Sequence, residues 1–289
     1  MFIDKLHILI QHLLPHRWLS RCMFMLARVR LRWFKNLFIR TFIRIYRVDM
    51  TIAEQPDPGA YPHFNGFFTR ALNSSARPID RTPDHIICPV DGFVSQAGVA
   101  SDDRLLQAKG VDYRLDALLG DDSDWSARFK NGSFATLYLS PRDYHRIHMP
   151  LDGVLQESLY IPGRLFSVNQ RAVDHIPGLF TRNERLICLF DTRAGAMAMI
   201  LVGAMFVSGI ETVWSGAVKH ARAPLRQDWR HRRIHLEKGR EMGRFNMGST
   251  VILLFGPGHA DMLPGMTADT VTRMGEHLAT LRTATAREL

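Results

Sequence analysis

Cysteine is scarce in this chain of 289 residues, which has only three: Cys22, Cys88 and Cys188. They lie far apart, and no C-x-x-C pair occurs. An odd, scattered set argues against a disulfide framework and favours a reducing compartment.

A long apolar run is also missing. The longest mainly apolar stretch without charge, residues 194–210, is shorter than a membrane span and is interrupted by glycines. We therefore expect two buried strands there. The N-terminus makes a poor signal peptide, because His7, Gln11 and His12 break its first apolar run and no small-residue cleavage site follows.

Acidic residues are nearly absent from residues 1–50. Asp4 and Asp49 stand against ten Lys and Arg, so this segment carries +8 of the formal net charge of +9. The other residues are near neutral, with ordinary globular composition and ample length for a core. The positive charge is therefore a local property of the N-terminal segment.

Residues 18–48 are predicted to be helical. Arg28, Arg32 and Lys35 follow helical spacing, and a stripe of phenylalanines follows it as well. Basic and aromatic faces together are typical of a helix lying in the headgroup layer of an anionic membrane. The alternative is a helix packed on the core with a solvated basic face. Nucleic-acid binding explains the apolar content badly, and we expect none. The phenylalanine stripe of this predicted helix consists of Phe34, Phe38 and Phe42.

The predicted fold class is α+β, with a largely antiparallel β core and N-terminal amphipathic helices at the membrane interface. We expect residues 1–50 to form the membrane-associating part and residues 51–289 the domain that carries any catalytic residues. We expect a polar surface excursion over 101–130, an exposed basic connection over 219–240 and a helical tail from Thr267. Short apolar runs predict strands at 86–88, 134–139, 186–190, 196–202 and 251–255.

Side chains for nucleophilic catalysis occur in separate short segments. Asp91 lies in Pro-Val-Asp-Gly, His145 and His148 lie in one stretch, and Ser249 follows Gly248. Taken alone, Pro-Val-Asp-Gly is a good turn. Together the three residue types can form a base-activated nucleophile, although the G-x-S-x-G elbow of many hydrolases is absent. No third ligand accompanies the two histidines, so we predict no metal.

The Gly248–Ser249 bond offers another target for the serine. Glycine has no Cβ, which leaves its carbonyl open to attack by the following hydroxyl. Attack would give an ester, and elimination followed by hydrolysis would leave a pyruvoyl group on the new N-terminus. An ordinary turn is the alternative interpretation.

Taken together, the motifs resemble the phosphatidylserine decarboxylase family, in its bacterial membrane-associated form. The resemblance covers about residues 45–258, and Met247 is its one departure, where leucine is more familiar. It rests on Phe67-Phe68-x-Arg70, Pro89-x-Asp91-Gly92, Asp143-Tyr144-His145-Arg146-x-His148-x-Pro150 and Gly248-Ser249-Thr250.

The resemblance implies that the chain cuts itself into a β chain, 1–248, and an α chain, 249–289. Ser249 would become the covalent pyruvoyl cofactor. His148 would be the base that activates Ser249, Asp91 would orient His148, and His145 would act in decarboxylation, as a proton donor.

The implied reaction converts phosphatidylserine to phosphatidylethanolamine and CO₂ through a Schiff base with the pyruvoyl group. The implied protein is a homodimer bound peripherally to an anionic membrane, on the cytoplasmic face of the bacterial cell membrane. Two alternatives stay open: a membrane-associated serine or metal-dependent lipid hydrolase, and a non-enzymatic membrane adaptor.

Overall fold

The computed structural model describes residues 16–101, 103–108, 111–205, 209–246 and 250–282. The helices in this part of the chain are α1 (His16–Leu26), α2 (Arg32–Tyr46), α3 (Phe64–Phe68), α4 (Leu115–Leu119), α5 (Ser123–Phe129), α6 (Gln170–His175) and α7 (Leu179–Arg182).

The strands within the described ranges belong to four antiparallel sheets. The described strands are β1 (His85–Ile87), β2 (Gly92–Val99), β3 (Arg104–Ala108), β4 (Val111–Arg114), β5 (Ser133–Tyr138), β6 (Arg146–His148), β7 (Gly153–Ile161), β8 (Arg185–Thr192), β9 (Gly195–Val202), β10 (Ile210–Thr212), β11 (Gly216–Ala217), β12 (Leu225–Asp228), β13 (His235–Leu236), β14 (Glu241–Phe245), β15 (Thr250–Phe255), β16 (Ala260–Met262), β17 (Val271–Thr272) and β18 (His277–Leu281).

A nine-stranded sheet forms the main core, in the order β12-β7-β8-β9-β15-β5-β2-β17 with β13 also paired to β7. Strand β15 lies between β9 and β5, and all six of its residues are buried. An apolar run buried on both faces is what a central strand requires. The five predicted strands and the α+β class are confirmed, although residues 194–210 supply β9 and only the first residue of β10.

The glycine of the Pro-Val-Asp-Gly motif has a steric role in this sheet. Gly92 begins β2 and has a φ of +155°. A Cβ at this position would lie 2.1 Å from the carbonyl oxygen of Tyr138 in the neighbouring strand β5. The motif therefore marks the close approach of two strands next to Asp91 as well as a change of direction.

The predicted N-terminal helix is two helices. A break between Leu26 and Arg32 separates α1 from α2, and Ala27 in the break is buried and accepts the backbone N–H of Asn65. This long-range contact replaces continued helical hydrogen bonding, which explains why the residue spacing alone did not reveal it.

Two of the three phenylalanines of the stripe, Phe38 and Phe42, pack on protein rather than facing solvent. Phe38 stacks on Phe64 with ring centroids 4.1 Å apart, and Phe42 makes edge contacts with Phe67 and Phe68. Lys35, predicted on the basic face, is buried and donates to the carbonyl of Gly59 at 2.9 Å. The interpretation of Phe38 and Phe42 as lipid-facing was therefore wrong. Helix α2 and its flanking residues form a small apolar cluster with α3, separate from the main core.

Helix α2 also carries exposed apolar side chains. Trp33 is 70% exposed, Leu37 62% and Ile45 66%, with Arg40 and Arg44 exposed beside them. No helix within the described ranges has the length and apolar character needed to cross a membrane.

Two segments differ from their predicted structure. The tail from Thr267 forms β17 and β18 rather than a helix, because its backbone pairs with β2, β1 and β16. Residues 101–130 are not only a surface excursion, since Leu105, Trp125 and Phe129 are buried in the main core. Residues 219–240 are largely exposed as expected, but they contain the edge strands β12 and β13. Long-range strand pairing outweighed local spacing in the tail, and burial of apolar side chains outweighed the polar composition of residues 101–130.

Candidate active site

Residues 247–249 lie outside the described residues, so the structure does not place Ser249. Both neighbouring strands are described. Strand β14 ends at Phe245, and β15 begins at Thr250, which pairs with Tyr138 on one side and Val202 on the other. Thr250 is completely buried. The predicted cleavage point therefore adjoins the entrance to the central strand of the large sheet.

Asn246 is held by hydrogen bonds to Gly209, Glu211 and Asn65 just before this point. Its backbone N–H donates to the carbonyl of Gly209 at 2.9 Å, and its side-chain N–H donates to the Glu211 carboxylate at 2.7 Å. Its side-chain oxygen accepts from the Asn65 amide at 2.9 Å in a buried contact. We call Asn65, Asn246 and Glu211 the Asn246 clamp. The clamp joins α3 to the segment that leads to the predicted cleavage point.

His145 is completely buried against α3. Its ring stacks on Phe68 with centroids 4.0 Å apart, and its Nε2 lies 3.5 Å from the carbonyl oxygen of Pro141. Its Nδ1 has no hydrogen-bond partner among the described residues. Burial, followed by the nearby charge of Arg70, lowers the pKa of His145 to about 3. The ring is therefore neutral at physiological pH.

The segment after Phe68 fixes the loop that carries His145. Arg70 is buried and donates to the carbonyl of Arg142 at 3.1 Å, while Arg146 donates to the carbonyl of Thr69 at 3.0 Å. The Phe67-Phe68-x-Arg70 motif was noted in the sequence without a structural role. The structure shows that it connects the N-terminal helices with the histidine segment.

His148 occupies a different environment from His145. Its Nδ1 is 2.8 Å from the carbonyl oxygen of Gly239, and its Nε2 is 2.9 Å from the hydroxyl of Tyr144. Because a carbonyl only accepts, Nδ1 carries the proton in the neutral ring and Nε2 accepts from Tyr144. Burial lowers the pKa of His148. His148 is thus a neutral imidazole with a lone pair on Nε2, as a general base requires.

Asp91 is bonded differently from the sequence-based expectation. Its carboxylate accepts from the Arg77 guanidinium, with Nε–Oδ1 at 2.8 Å and Nη2–Oδ2 at 2.5 Å, and from the backbone N–H of Met274 at 2.9 Å. Gly239 and Tyr144, rather than Asp91, hold the His148 ring in this structure. Asp91 does act on His148 at longer range, where its negative charge opposes the lowering of the histidine's pKa by burial.

The structure therefore brings some predicted site residues together and leaves others apart. His148 ends β6 and His145 directly precedes that strand, and the two rings have different hydrogen-bond partners. Asp91 lies near His148 without bonding to its ring. Sequence reasoning missed the contributions of Tyr144, Asn65, Glu211 and Gly239. Tyr144 lay inside a quoted motif. Gly239 acts through its backbone carbonyl, a group that every residue has, so its residue type gave no signal.

Comparisons with known proteins agree with the motif pattern. The family model described as phosphatidylserine decarboxylase matches residues 64–280, and a second model, described as PSD, matches residues 6–47. Proteins named phosphatidylserine decarboxylase proenzyme are similar to this chain over nearly its whole length. One from Pseudomonas putida is 52% identical over 280 residues, covering 96% of this chain and 98% of that protein. One from Ectopseudomonas mendocina is 52% identical over 279 residues, covering 95% and 98%. One from Pseudomonas paraeruginosa is 53% identical over 282 residues, covering 96% and 98%.

Proposed function

This chain belongs to the phosphatidylserine decarboxylase family, and from that premise we propose that it converts phosphatidylserine to phosphatidylethanolamine and CO₂. The observation that carries this proposal is the family match over residues 64–280, which includes both histidines and Ser249. The comparisons do not support the lipid hydrolase considered from the sequence.

The cofactor we propose is a pyruvoyl group made from Ser249, with the chain cut after Gly248 into residues 1–248 and 249–289. The names of the relatives as proenzymes support processing of a precursor. Such a group supplies a carbonyl that condenses with the substrate amine and accepts the electrons left when CO₂ departs. Two buried polar atoms that lack partners in the described part of the chain, His145 Nδ1 and Thr250 Oγ1, fit a site where further polar groups converge.

For self-cleavage, we propose His148 as the base. Its Nε2 must exchange the Tyr144 hydroxyl for the hydroxyl of Ser249, while the bond from Nδ1 to Gly239 keeps the ring in the required tautomer. Burial raises the pKa of Tyr144, so its hydroxyl stays protonated and remains a donor. Asp91 contributes through its charge, which favours the imidazolium formed when His148 takes a proton.

For decarboxylation, we propose that His145 handles the proton delivered to the substrate carbon. Burial and Arg70 keep this ring neutral in the precursor. A substrate carboxylate or phosphate nearby would stabilise the imidazolium and raise the pKa of His145. Stacking on Phe68 fixes the plane of the ring, so the proton would be directed rather than supplied by mobile solvent.

The Asn246 clamp indicates that α3, which carries Asn65, contributes to self-cleavage. Asn65→Ala removes the buried donor to Asn246, which loosens the segment leading to Gly248. Loss of one buried hydrogen bond costs about 1–2 kcal/mol, so we expect self-cleavage to slow by about tenfold. The measurement is the time course of fragment appearance after cell-free synthesis. Asn36→Ala on α2 is the control, and cleavage of Asn65→Ala at the wild-type rate would contradict the role of the clamp.

The membrane surface we propose consists of the exposed apolar side chains of α1 and α2. Trp18, Trp33 and Leu37 are each at least 60% exposed, and exposed arginines lie beside them. Large apolar side chains next to cations match the headgroup layer of an anionic bilayer. A substrate whose acyl chains remain in the bilayer requires the enzyme to work at that surface. We therefore propose a peripheral protein on the cytoplasmic face of the cell membrane.

The double variant Trp33→Glu with Leu37→Glu tests the activity and the surface together. It places two anions where apolar side chains would enter an anionic membrane, so we expect affinity for phosphatidylserine vesicles to fall at least about tenfold. Decarboxylation of vesicle lipid should fall with it, whereas decarboxylation of a soluble short-chain phosphatidylserine should be retained. Product is measured as CO₂ and phosphatidylethanolamine.

Val271→Glu is the matched control, since Val271 is 61% exposed and lies on β17 rather than on either helix. Unchanged vesicle binding by the double variant would rule out this surface. Absence of CO₂ from the wild-type protein on both lipids, or release of fatty acid instead, would rule out the proposed reaction.

We also propose a homodimer, supported only by the family resemblance. Light scattering of the purified protein measures its mass in solution, and a monomer at micromolar concentration would contradict this proposal.

A further inference from the structure

A second cluster of ligand-type side chains lies outside the residues assigned to the reaction. Asp80, His85 and His277 each offer a ligand atom, and these atoms all lie within 4.8 Å of one another. The three side chains are partly exposed, so ions from solution can reach them.

Backbone pairing holds this cluster together. His85 begins β1 and His277 begins β18, and the two strands pair with Ile87 opposite His277. The loop before β1 is joined to the same region, because the backbone N–H of Asp80 donates to the carbonyl of Gly275 at 2.9 Å. The positions of all three residues are therefore set by the sheet and not by a mobile loop alone.

The side chains are already in contact. His85 Nδ1 is 2.6 Å from the Asp80 carboxylate, and the rings of His85 and His277 stack with centroids 3.5 Å apart and an interplanar angle of 6°. Small rotations of the partly exposed rings would bring one nitrogen of each toward the carboxylate oxygen. A tetrahedral zinc ion with ligand bonds of about 2.0–2.2 Å needs this kind of convergence.

From this geometry we propose that Asp80, His85 and His277 bind a divalent transition-metal ion of the Zn²⁺ class, with water completing the coordination. Two imidazoles and one carboxylate are a donor set suited to Zn²⁺ and Co²⁺, whereas Mg²⁺ and Ca²⁺ prefer oxygen ligands alone. This site is separate from the proposed catalytic histidines, and its binding of metal does not depend on the reaction proposed above.

One neighbouring cation opposes binding. The ammonium of Lys238 donates to the carbonyls of Thr82 and His85 at 2.9 and 2.8 Å. Its positive charge beside the site should weaken the affinity for a divalent cation. Removing that charge should therefore tighten metal binding, an effect opposite in sign to removal of a ligand.

The position of the site suggests what a bound metal would do. If the chain is cut after Gly248, Asp80 and His85 belong to one fragment and His277 to the other. A metal ion would then link the two fragments, close to Met274, whose backbone N–H holds Asp91. The function of this link rests on the proposed cleavage, but the site itself does not.

Titration with Co²⁺, followed by visible absorption, tests the site. The protein should carry no polyhistidine tag and should be treated with chelator beforehand. We expect one Co²⁺ per chain with bands typical of tetrahedral coordination, which Zn²⁺ displaces. His277→Asn and Asp80→Asn should each weaken binding by about tenfold or more, and Lys238→Met should strengthen it. His231→Asn, at an exposed histidine outside the cluster, should bind like the wild type.

A control variant and a folding measurement complete the test. Uncut Ser249→Ala protein should bind Co²⁺ like the wild type, which separates this proposal from self-cleavage. Circular dichroism identifies any variant that fails to fold. If one ligand variant is unfolded, the metal affinity of the other ligand variant tests the proposal. Wild-type protein without tetrahedral bands, substoichiometric binding, or unchanged affinity in folded His277→Asn and Asp80→Asn would overturn the proposal.

Discussion

Ser249→Ala is expected to yield one uncut chain of 289 residues without decarboxylase activity. The wild type should instead give two fragments, 1–248 and 249–289. Alanine has no hydroxyl to attack the Gly248 carbonyl, so neither the ester nor the pyruvoyl group can form. Denaturing electrophoresis and intact mass measure the cut, and the smaller wild-type fragment should be blocked to Edman degradation.

Ser74→Ala is the control for this experiment, because Ser74 is an exposed serine distant in sequence from the cut. It should be processed and active like the wild type. Recovery of active wild-type protein as a single full-length chain would remove the basis for the proposed cofactor. Cleavage and activity in Ser249→Ala would do the same.

Replacing the two histidines separately should divide processing from catalysis. His148→Ala lacks the proposed base and should remain uncut. His145→Ala should be cut, but its decarboxylation rate should fall by about 10²–10⁴, the range for loss of a general acid or base. The physical reason is the difference in surroundings: His148 Nε2 has a lone pair beside Tyr144, whereas His145 is buried against Phe68.

Fragment yield and CO₂ release from the same preparations measure the two effects. His145→Asn provides a second variant of closer size, in case alanine leaves too large a cavity under Phe68. His231→Ala should change neither quantity. An uncut His145→Asn or a normally processed His148→Ala would show that the roles are assigned to the wrong residues.

Much of the β core could be predicted because each central strand is a local apolar run. Strand β15, for example, is an uninterrupted apolar segment after Thr250, and it is buried along its whole length. The C-terminal tail could not be predicted in this way. Its residues Leu278 and Ala279 are buried because β18 pairs with both β1 and β16, and helical spacing in the sequence says nothing about such partners.

The N-terminal helices illustrate the same division. Their basic, aromatic character predicted two-faced helices, but not which face meets the protein. Phe38 and Phe42 were interpreted as membrane-facing, yet they pack on α3 because Phe64, Phe67 and Phe68 offer a complementary apolar surface. The surface left exposed carries Trp33 and Leu37 instead.

The family, the apolar strands and the residue types available for chemistry could all be read from the sequence, because these depend on local composition and on motifs in a fixed order. The partners of those residues could be read only from the folded chain. In the folded chain the Asp91 carboxylate accepts from Arg77, Asn65 donates to Asn246, and the Gly239 carbonyl accepts from Nδ1 of His148. Hydrogen bonds and burial depend on groups distant in sequence, so the protonation and orientation of a side chain become defined only when the chain has folded.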